Sequence, residues 1–266
     1  MKVLVVGLGV QGKKRINILN KKQFYASVDP KNKKATFNDI KEAELNEYDS
    51  VFICTPDNEK LKIINYCLKN KKNILVEKPI NIGLEKKIKY IEKIANKSKS
   101  IVYTAYNHRF EPHFIKIRNL IKRNFLGKIY YCGIFYGNGT ARLVKKSPWR
   151  DSGLGIIHDL GTHLVDIIEF WFKKKINYKL VAKDNFENKS PDHAILISKT
   201  KSPLIRLEMS MCRWKNNLDC EIIGSKGSLK MSSLCKWGPS VLSLQKRVLP
   251  SGRPKEKKIT IKKKDE

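Results

Sequence analysis

The stretch that most constrains the fold is VLVVGLGVQGKKRINIL, residues 3–19. A continuous apolar run ends at Gly7, Gly9 and Gly12 and passes into a helical pattern. Strand, then G-x-G-x-x-G, then helix is the signature of a dinucleotide-binding βαβ unit. Gly7 permits the tight turn, Gly9 lets backbone approach a pyrophosphate, and Gly12 brings helix against strand. N–H groups at the helix start, around Val10 and Gln11, then face the anion. A second apolar run, FYASVD, ends at Asp29, 20 residues past Gly9. Such folds place there the acid that bonds the ribose hydroxyls. A carboxylate repels a 2′-phosphate, which favours NAD over NADP, and Lys31, Lys33 and Lys34 weaken that preference. GLGVQGKK also matches the start of a P-loop, but Lys14 stands where Ser or Thr would hold Mg²⁺.

Strands and helices then alternate: DSVFICTP (49–56), DNEKLKIINYCLKN, NILVEKP (73–79), GLEKKIKYIEKIANKS (83–98) and SIVYTAYN (100–107). This order predicts a Rossmann-type doubly wound parallel sheet, with the crossover between Asp29 and Val51 abbreviated to FNDIKEAEL. Ligands bind such sheets at the carboxyl ends of the strands. Three ends are therefore singled out: Thr55-Pro56, Glu77-Lys78-Pro79 and Asn107-His108-Arg109. Lys78 directly follows an apolar strand, and Pro79 stiffens the turn; the plain alternative is an ordinary surface turn.

From residue 127 the chain becomes strand-rich, in GKIYYCGIFYG, HAILISKT, PLIRLEMSM, LDCEIIGS, GSLKMSS and SVLSLQKRV. Turn residues between these runs predict an open, mostly antiparallel sheet. The expected organisation is a dinucleotide-binding domain over 1–105 and a strand-rich α+β domain over 106–266. Within the second lies GIIHDLGTHLVDIIEFWF, residues 155–172. At about 100° per residue, Asp159, His163, Asp166 and Phe170 share one stripe of a helix. The plain alternative is a solvated polar face. His158 and His163 fall too far apart around such a helix to share an ion, so no metal site is expected.

Composition removes other classes. No apolar run approaches the roughly 20 residues that span a bilayer, and residues 1–6 read as a strand rather than a signal peptide. Six scattered cysteines without a CxxC pair point to a reducing, cytoplasmic setting. A net charge of +30 invites nucleic acid, yet only 10 of the 55 cationic residues are Arg, and the Lys residues are spread along the whole chain. Specific nucleic-acid recognition is therefore not expected, only non-specific adhesion at low salt. The ending KEKKITIKKKDE reads as either a charge-protected edge strand or a frayed tail.

GLGVQG, VDP, CTPDNEK, VEKP, YNHRF and SPWRDSGLGIIHDLGTHLVD, in this order and spacing, resemble the Gfo/Idh/MocA oxidoreductases, the glucose–fructose oxidoreductase and inositol dehydrogenase family. EIIGSKGSLKM looks like the family's sheet hairpin. The resemblance implies NAD(P)-dependent hydride transfer to or from a secondary alcohol of a sugar, sugar nucleotide or cyclitol. It implies a pocket lined by Lys78, Asp159 and His163, with Thr55 and Pro56 beside the cofactor and a Lys78–Pro79 bond that is often cis in the family. Gly7, Gly9, Val10, Gln11, Gly12, Asp29, Thr55, Pro56, Glu77 and Lys78 are the expected cofactor residues. Asn107, Arg109, Trp149 and Arg150 are candidate substrate contacts, and Asp166 stands one turn further off. Whether Lys78 or His163 is the dominant acid/base stays open. The resemblance also implies a homo-oligomer formed through the second domain's sheet. It makes the chain shorter than the family pattern, which ends in a further helical stretch. Two alternatives share the scaffold: a non-catalytic NAD-binding regulator and an NAD-dependent glycosidase.

Overall fold

The computed structural model describes residues 1–80, 85–200 and 202–262, the side chains of residues 85 and 86 excepted. It divides into two compact units, Met1–Tyr106 and Asn107–Glu266.

The first unit is a five-stranded parallel sheet of β1 (Val3–Val6), β2 (Phe24–Val28), β3 (Ser50–Ile53), β4 (Asn73–Val76) and β5 (Val102–Thr104), in the order β2-β1-β3-β4-β5. The strands are short apolar runs because the sheet is covered on both faces; Val3, Leu4, Val5, Val51 and Ile53 are fully buried. Helices α1 (Val10–Asn17), α2 (Asp57–Lys69) and α3 (Glu85–Ser98) make three crossovers. The first two residues of the predicted third helix, Gly83 and Leu84, lie outside the described residues. Between β2 and β3 the crossover contains only two 3₁₀ turns, Ile40–Glu42 and Leu45–Glu47. The order reverses between β1 and β3, and such a switch point opens a crevice at the strands' carboxyl ends. Gly7 and the Cys54–Thr55 peptide meet there.

The second unit is an eight-stranded sheet, ordered β13-β12-β11-β10-β6-β9-β8-β7. The strands are β6 (Ile129–Gly137), β7 (Tyr178–Asp184), β8 (His193–Ser198), β9 (Leu204–Ser210), β10 (Asn217–Gly224), β11 (Gly227–Ser232), β12 (Ser240–Val248) and β13 (Gly252–Ile261). All pairings are antiparallel except β6 with β9. Period-two patterning sets the faces: in β10, Leu218, Cys220 and Ile222 are buried while Asp219 and Glu221 point outward. The inner face packs against α4 (Pro112–Lys122) and α6 (Thr162–Phe172) through Phe114, Ile117, Leu164, Ile167, Ile168 and Trp171. The short α5 (Ala141–Lys145) follows β6. Of these elements α4, α5 and β7 were not anticipated from the sequence. The Lys-rich ending resolves into an edge strand, β13, with Arg253, Lys255, Lys257 and Lys258 exposed along it. Among the described residues no helix is long and apolar enough to cross a membrane.

Candidate active site

In the first unit each glycine has a distinct physical role. Gly7 sits at φ +94°, and a Cβ there would lie 2.8 Å from the Cys54 carbonyl. A Cβ on Gly12 would lie 1.8 Å from the Gly7 carbonyl oxygen. Both are therefore demanded by the fold itself. Around Gly9 nothing lies within 4 Å of a Cβ position. Gly9 precedes α1, whose first turn has no side-chain cap and no acid, and Val10 and Gln11 are exposed. The helix start therefore presents N–H groups and a positive dipole end to an anion. The residues fit a dinucleotide: open space at the one glycine that would meet the pyrophosphate, close packing at the other two.

Asp29 closes the turn. Its Oδ2 accepts from the Leu8 N–H at 2.8 Å, and its Oδ1 accepts from Lys31 and Asn32 N–H at 2.9 and 3.2 Å. Burial works to raise its pKa, but these three donors and the Lys31 charge outweigh it and hold the carboxyl below its ordinary value. The Asp29 carboxylate thus holds both the glycine turn and the loop after β2. The Thr55 hydroxyl is buried at the end of β3, with no hydrogen-bond partner among the described residues. Burial, with the Glu77 charge beside it, pushes the Cys54 thiol up to about 12, so it is an inert neighbour.

The Glu77-Lys78-Pro79 turn is held on both flanks by residues that sequence reasoning did not single out. Arg15 of α1 donates through Nε and Nη2 to Glu77 Oε1, at 2.8 and 2.6 Å. Lys60 of α2 is 2 % exposed; its Nζ donates to Asp57 Oδ1 and to the Pro79 carbonyl, each at 2.7 Å. The Lys78–Pro79 bond is cis, and Lys78 is half-buried.

In the second unit the structure corrects two expectations. Strand β5 stops at Thr104, so Asn107 and Arg109 are not at a strand end of the parallel sheet. They lie on a 3₁₀ turn, Asn107–Phe110, that opens the second unit. Nor is 155–172 one regular α-helix. Ile157–Gly161 is a π-turn that continues into α6. A π-turn accommodates one extra residue and often marks a functional site. Gly161 lies within it, where a Cβ would stand 3.0 Å from Met209 Sδ.

The polar stripe does not face bulk water. His163 and Asp166 are each 6 % exposed. The Arg109 Nε donates to both Asp166 oxygens, at 3.0 and 2.9 Å, and its Nη2 donates to Oδ1. Arg109 thus spends its guanidinium on Asp166. Arg150 Nη2 donates to Asp159 Oδ2 at 2.8 Å. Trp149 is 68 % exposed, and Asn107 is exposed. Asp151 accepts from the Lys189 and Ser190 N–H groups and the Ser190 hydroxyl, fixing the β7–β8 loop. The carbonyl of Pro191 in that loop accepts from the Ile156 N–H, just before the π-turn.

His163 packs against His108, which the sequence marked only as part of the Asn107-His108-Arg109 segment and gave no role of its own. His108 is 1 % exposed, and its ring centroid lies 4.3 Å from that of His163, with 32° between the planes. Tyr136 of β6 stands 5.4 Å from His108 and 6.3 Å from His163. Burial, with the charges of Asp159 and Glu111, holds the Tyr136 phenol protonated far above its ordinary range. Among the described residues no cluster of three or more His, Cys, Asp or Glu suits a metal ion.

Comparison with known proteins places these features. Residues 1–106 match the model of an oxidoreductase family with an NAD-binding Rossmann fold, and residues 114–230 match the GFO/IDH/MocA C-terminal domain. Myo-inositol 2-dehydrogenase of Thermotoga maritima is 26% identical over 192 residues, covering 68% of this chain and 55% of that protein. Glucose-6-phosphate 3-dehydrogenase of Bacillus subtilis is 25% identical over 178 residues, covering 60% and 50%. The chain spans about half the length of the curated relatives it matches. Among solved structures, an oxidoreductase of Agrobacterium radiobacter in complex with NAD⁺, L-tartaric acid and magnesium shares the fold. It has a TM-score of 0.80 and 15% identity, over 100% of this chain and 80% of that one. So does an inositol dehydrogenase homolog of Azotobacter vinelandii complexed with NADH and myo-inositol, with a TM-score of 0.77 and 15% identity, over 98% and 75%. Matched along both of its units, the chain belongs to the GFO/IDH/MocA family of oxidoreductases.

Proposed function

We propose that the chain is an NAD-dependent dehydrogenase of a secondary alcohol on a sugar, sugar nucleotide or cyclitol. In this reading residues 1–105 hold the dinucleotide and 106–266 hold the substrate. The observation that carries it is the open position at Gly9, set between two glycines that the fold itself requires. The names of the relatives support the substrate class: inositol and glucose 6-phosphate are both polyhydroxylated rings.

Gly9 and the N–H groups of Val10 and Gln11 would hold the pyrophosphate, with Asp29, Thr55 and Pro56 beside the nucleoside portions. When bound, the nicotinamide supplies the hydride acceptor. A secondary alcohol releases hydride only as its O–H proton leaves. His163 takes that proton, since an imidazole titrates close to neutrality. Lys78 donates a hydrogen bond to the same oxygen and stabilises its growing negative charge. Asp159 orients and stabilises the imidazolium, as the carboxylate does in a triad. In reduction the same groups return the proton. Asn107, Trp149 and Arg150 are left as substrate contacts, whereas Arg109 acts through Asp166.

Asp29 favours NAD over NADP, because a second anion beside a carboxylate held ionised is repelled. We place the protein in the cytoplasm, on the ground of its six free cysteines. The outward face of the eight-stranded sheet, which bears Tyr131 and Phe135 beside a cavity of about 370 Å³, is proposed to pair with a second copy.

The test is incubation with NAD⁺ and a panel of inositols, aldoses, sugar phosphates and UDP-sugars, following absorbance of the reduced nicotinamide. Turnover lost in His163→Ala and Lys78→Ala, with NAD still bound, is the expected result. Binding without turnover on any substrate would leave the regulator. Glycoside cleavage with no net reduced cofactor would establish the glycosidase instead.

A further inference from the structure

We propose that the cavity between α4 and the C-terminal end of α6 is a binding site for a phosphoryl group, borne either by a free anion or by the substrate. The binding itself stands apart from the dehydrogenase reading above; only the second source, a phosphorylated substrate, rests on it.

The cavity measures about 330 Å³ and is lined by Arg109, Arg118 of α4, Glu169 and Phe170 of α6, and lysines 173–175. Five cations thus meet one carboxylate. Arg109 brings its own counter-charge, Asp166. Among the described residues neither Arg118 nor lysines 173–175 join an ion pair.

Lysines at a helix C-terminus are ordinary, because they offset the negative end of its dipole. That end is equivalent to about half an elementary charge, so three lysines exceed what it needs. Arg118 does not serve that end at all. It stands on a different helix, half-buried, with its guanidinium carbon 4.4 Å from the centroid of the Phe170 ring. Such stacking fixes the guanidinium plane and leaves its N–H edge for a partner. Lys173 takes the left-handed conformation, at φ +51°, with its N–H bonded to the Glu169 carbonyl. The chain turns off the helix there, and all three lysines line the cavity.

Apart from Phe170 the lining is charged, which does not suit an apolar ligand. The volume is at the small end for ligand cavities. A phosphoryl group matches both features. A guanidinium fork meets two of its oxygens, and ammonium groups meet its remaining charge as points. A lone carboxylate would suit the fork but would leave most of the lysine charge unmatched. Phe170 follows His163 by seven residues on α6, about 10 Å along the helix axis and on the same stripe. A phosphoryl group carried by a substrate is therefore in range.

The test uses the whole chain without NAD. The Nε–H resonances of its 10 arginines are followed by NMR as inorganic phosphate replaces chloride at constant ionic strength. Arg118→Gln identifies the Arg118 signal by its loss. The expected result is a saturating shift of that signal with a midpoint below about 10 mM. Lys174→Gln/Lys175→Gln should raise the midpoint at least about threefold more than Lys257→Gln/Lys258→Gln, the same charge change made on β13, beyond the range of screened charges. Glu169→Gln should lower it, and Glu256→Gln on β13 should not. A shift that stays linear, or lysine pairs that differ by less, would overturn the site and leave only diffuse attraction to a chain of net charge +30.

Turnover of a sugar phosphate with NAD⁺ then separates the sources. Inorganic phosphate that raises KM alone, and no longer does so in Lys174→Gln/Lys175→Gln, marks the substrate's own phosphoryl group; any other response marks a free anion. Saturable binding in a chain without turnover refutes only the dehydrogenase, and turnover with a linear shift refutes only the site.

Discussion

At the scale of single residues, the three glycines make separable predictions. Gly9→Ala meets open space, so its melting temperature should stay within about 2 °C of wild type, the small cost of an exposed substitution, while NAD affinity falls at least tenfold. Gly12→Ala drives a methyl into the Gly7 carbonyl and should unfold or strongly destabilise the first unit, as overpacking of close backbone does. Thermal melts and nucleotide titrations on both variants separate the cases. Equal loss of stability in both would mean that Gly9 serves the fold and not a ligand.

Asp29 makes a pH prediction. Its folded pKa is depressed, so the stability it contributes is complete above the unfolded value. That contribution is lost as pH falls through the folded one. The melting gap between wild type and Asp29→Asn should therefore be full near neutrality and close on acidification below 3.8, the ordinary carboxyl value. A gap constant with pH would show that the three N–H bonds do not favour the ionised carboxyl.

At the scale of elements, the Glu77-Lys78-Pro79 turn is held by Arg15 from α1 and Lys60 from α2. Removing one partner of a buried ion pair costs about 3–5 kcal/mol, while removing both together costs much less. Asp57 is about a third exposed, so the lower end applies to Lys60→Met. Denaturant unfolding should show that loss, and Asp57→Asn/Lys60→Met should recover part of it. A double variant no more stable than the single would mean that the loss comes from the Pro79 contact alone.

The same element shows what sequence can carry. The βαβ order, the glycine turn, the position of Asp29 and the strands of the second sheet other than β7 and β13 were legible because each depends on local periodicity or turn chemistry. The Arg15–Glu77 pair joins residues 62 positions apart, and nothing local in either residue marks the other. The contact of His108 with His163 was invisible for the same reason: the two rings stand on different elements, far apart along the chain. The π-turn escaped because helical templates assume 3.6 residues per turn. Helix α4 had a usable signal, Pro112 at its first position followed by Phe114 and Ile117 on one face.

At the scale of the whole molecule, a net charge of +30 on 266 residues is a standing self-repulsion. Salt screens it over a Debye length of about 10 Å at 0.1 M. The melting temperature should therefore rise with sodium chloride from tens to several hundred millimolar. A melting temperature that falls with salt would show that surface ion pairs such as Lys2–Glu47 outweigh the net repulsion.

The central claim, that NAD takes hydride from a secondary carbinol while His163 takes the proton, is tested most directly by isotope transfer. Polyols deuterated at the carbinol carbon are incubated with NAD⁺, and the recovered nicotinamide is weighed by mass spectrometry. One deuterium per reduced cofactor is expected in the wild type, with transfer lost a hundredfold or more in His163→Ala, the scale of general acid–base catalysis. Transfer undiminished in His163→Ala, or a reduced cofactor carrying no label, would contradict it.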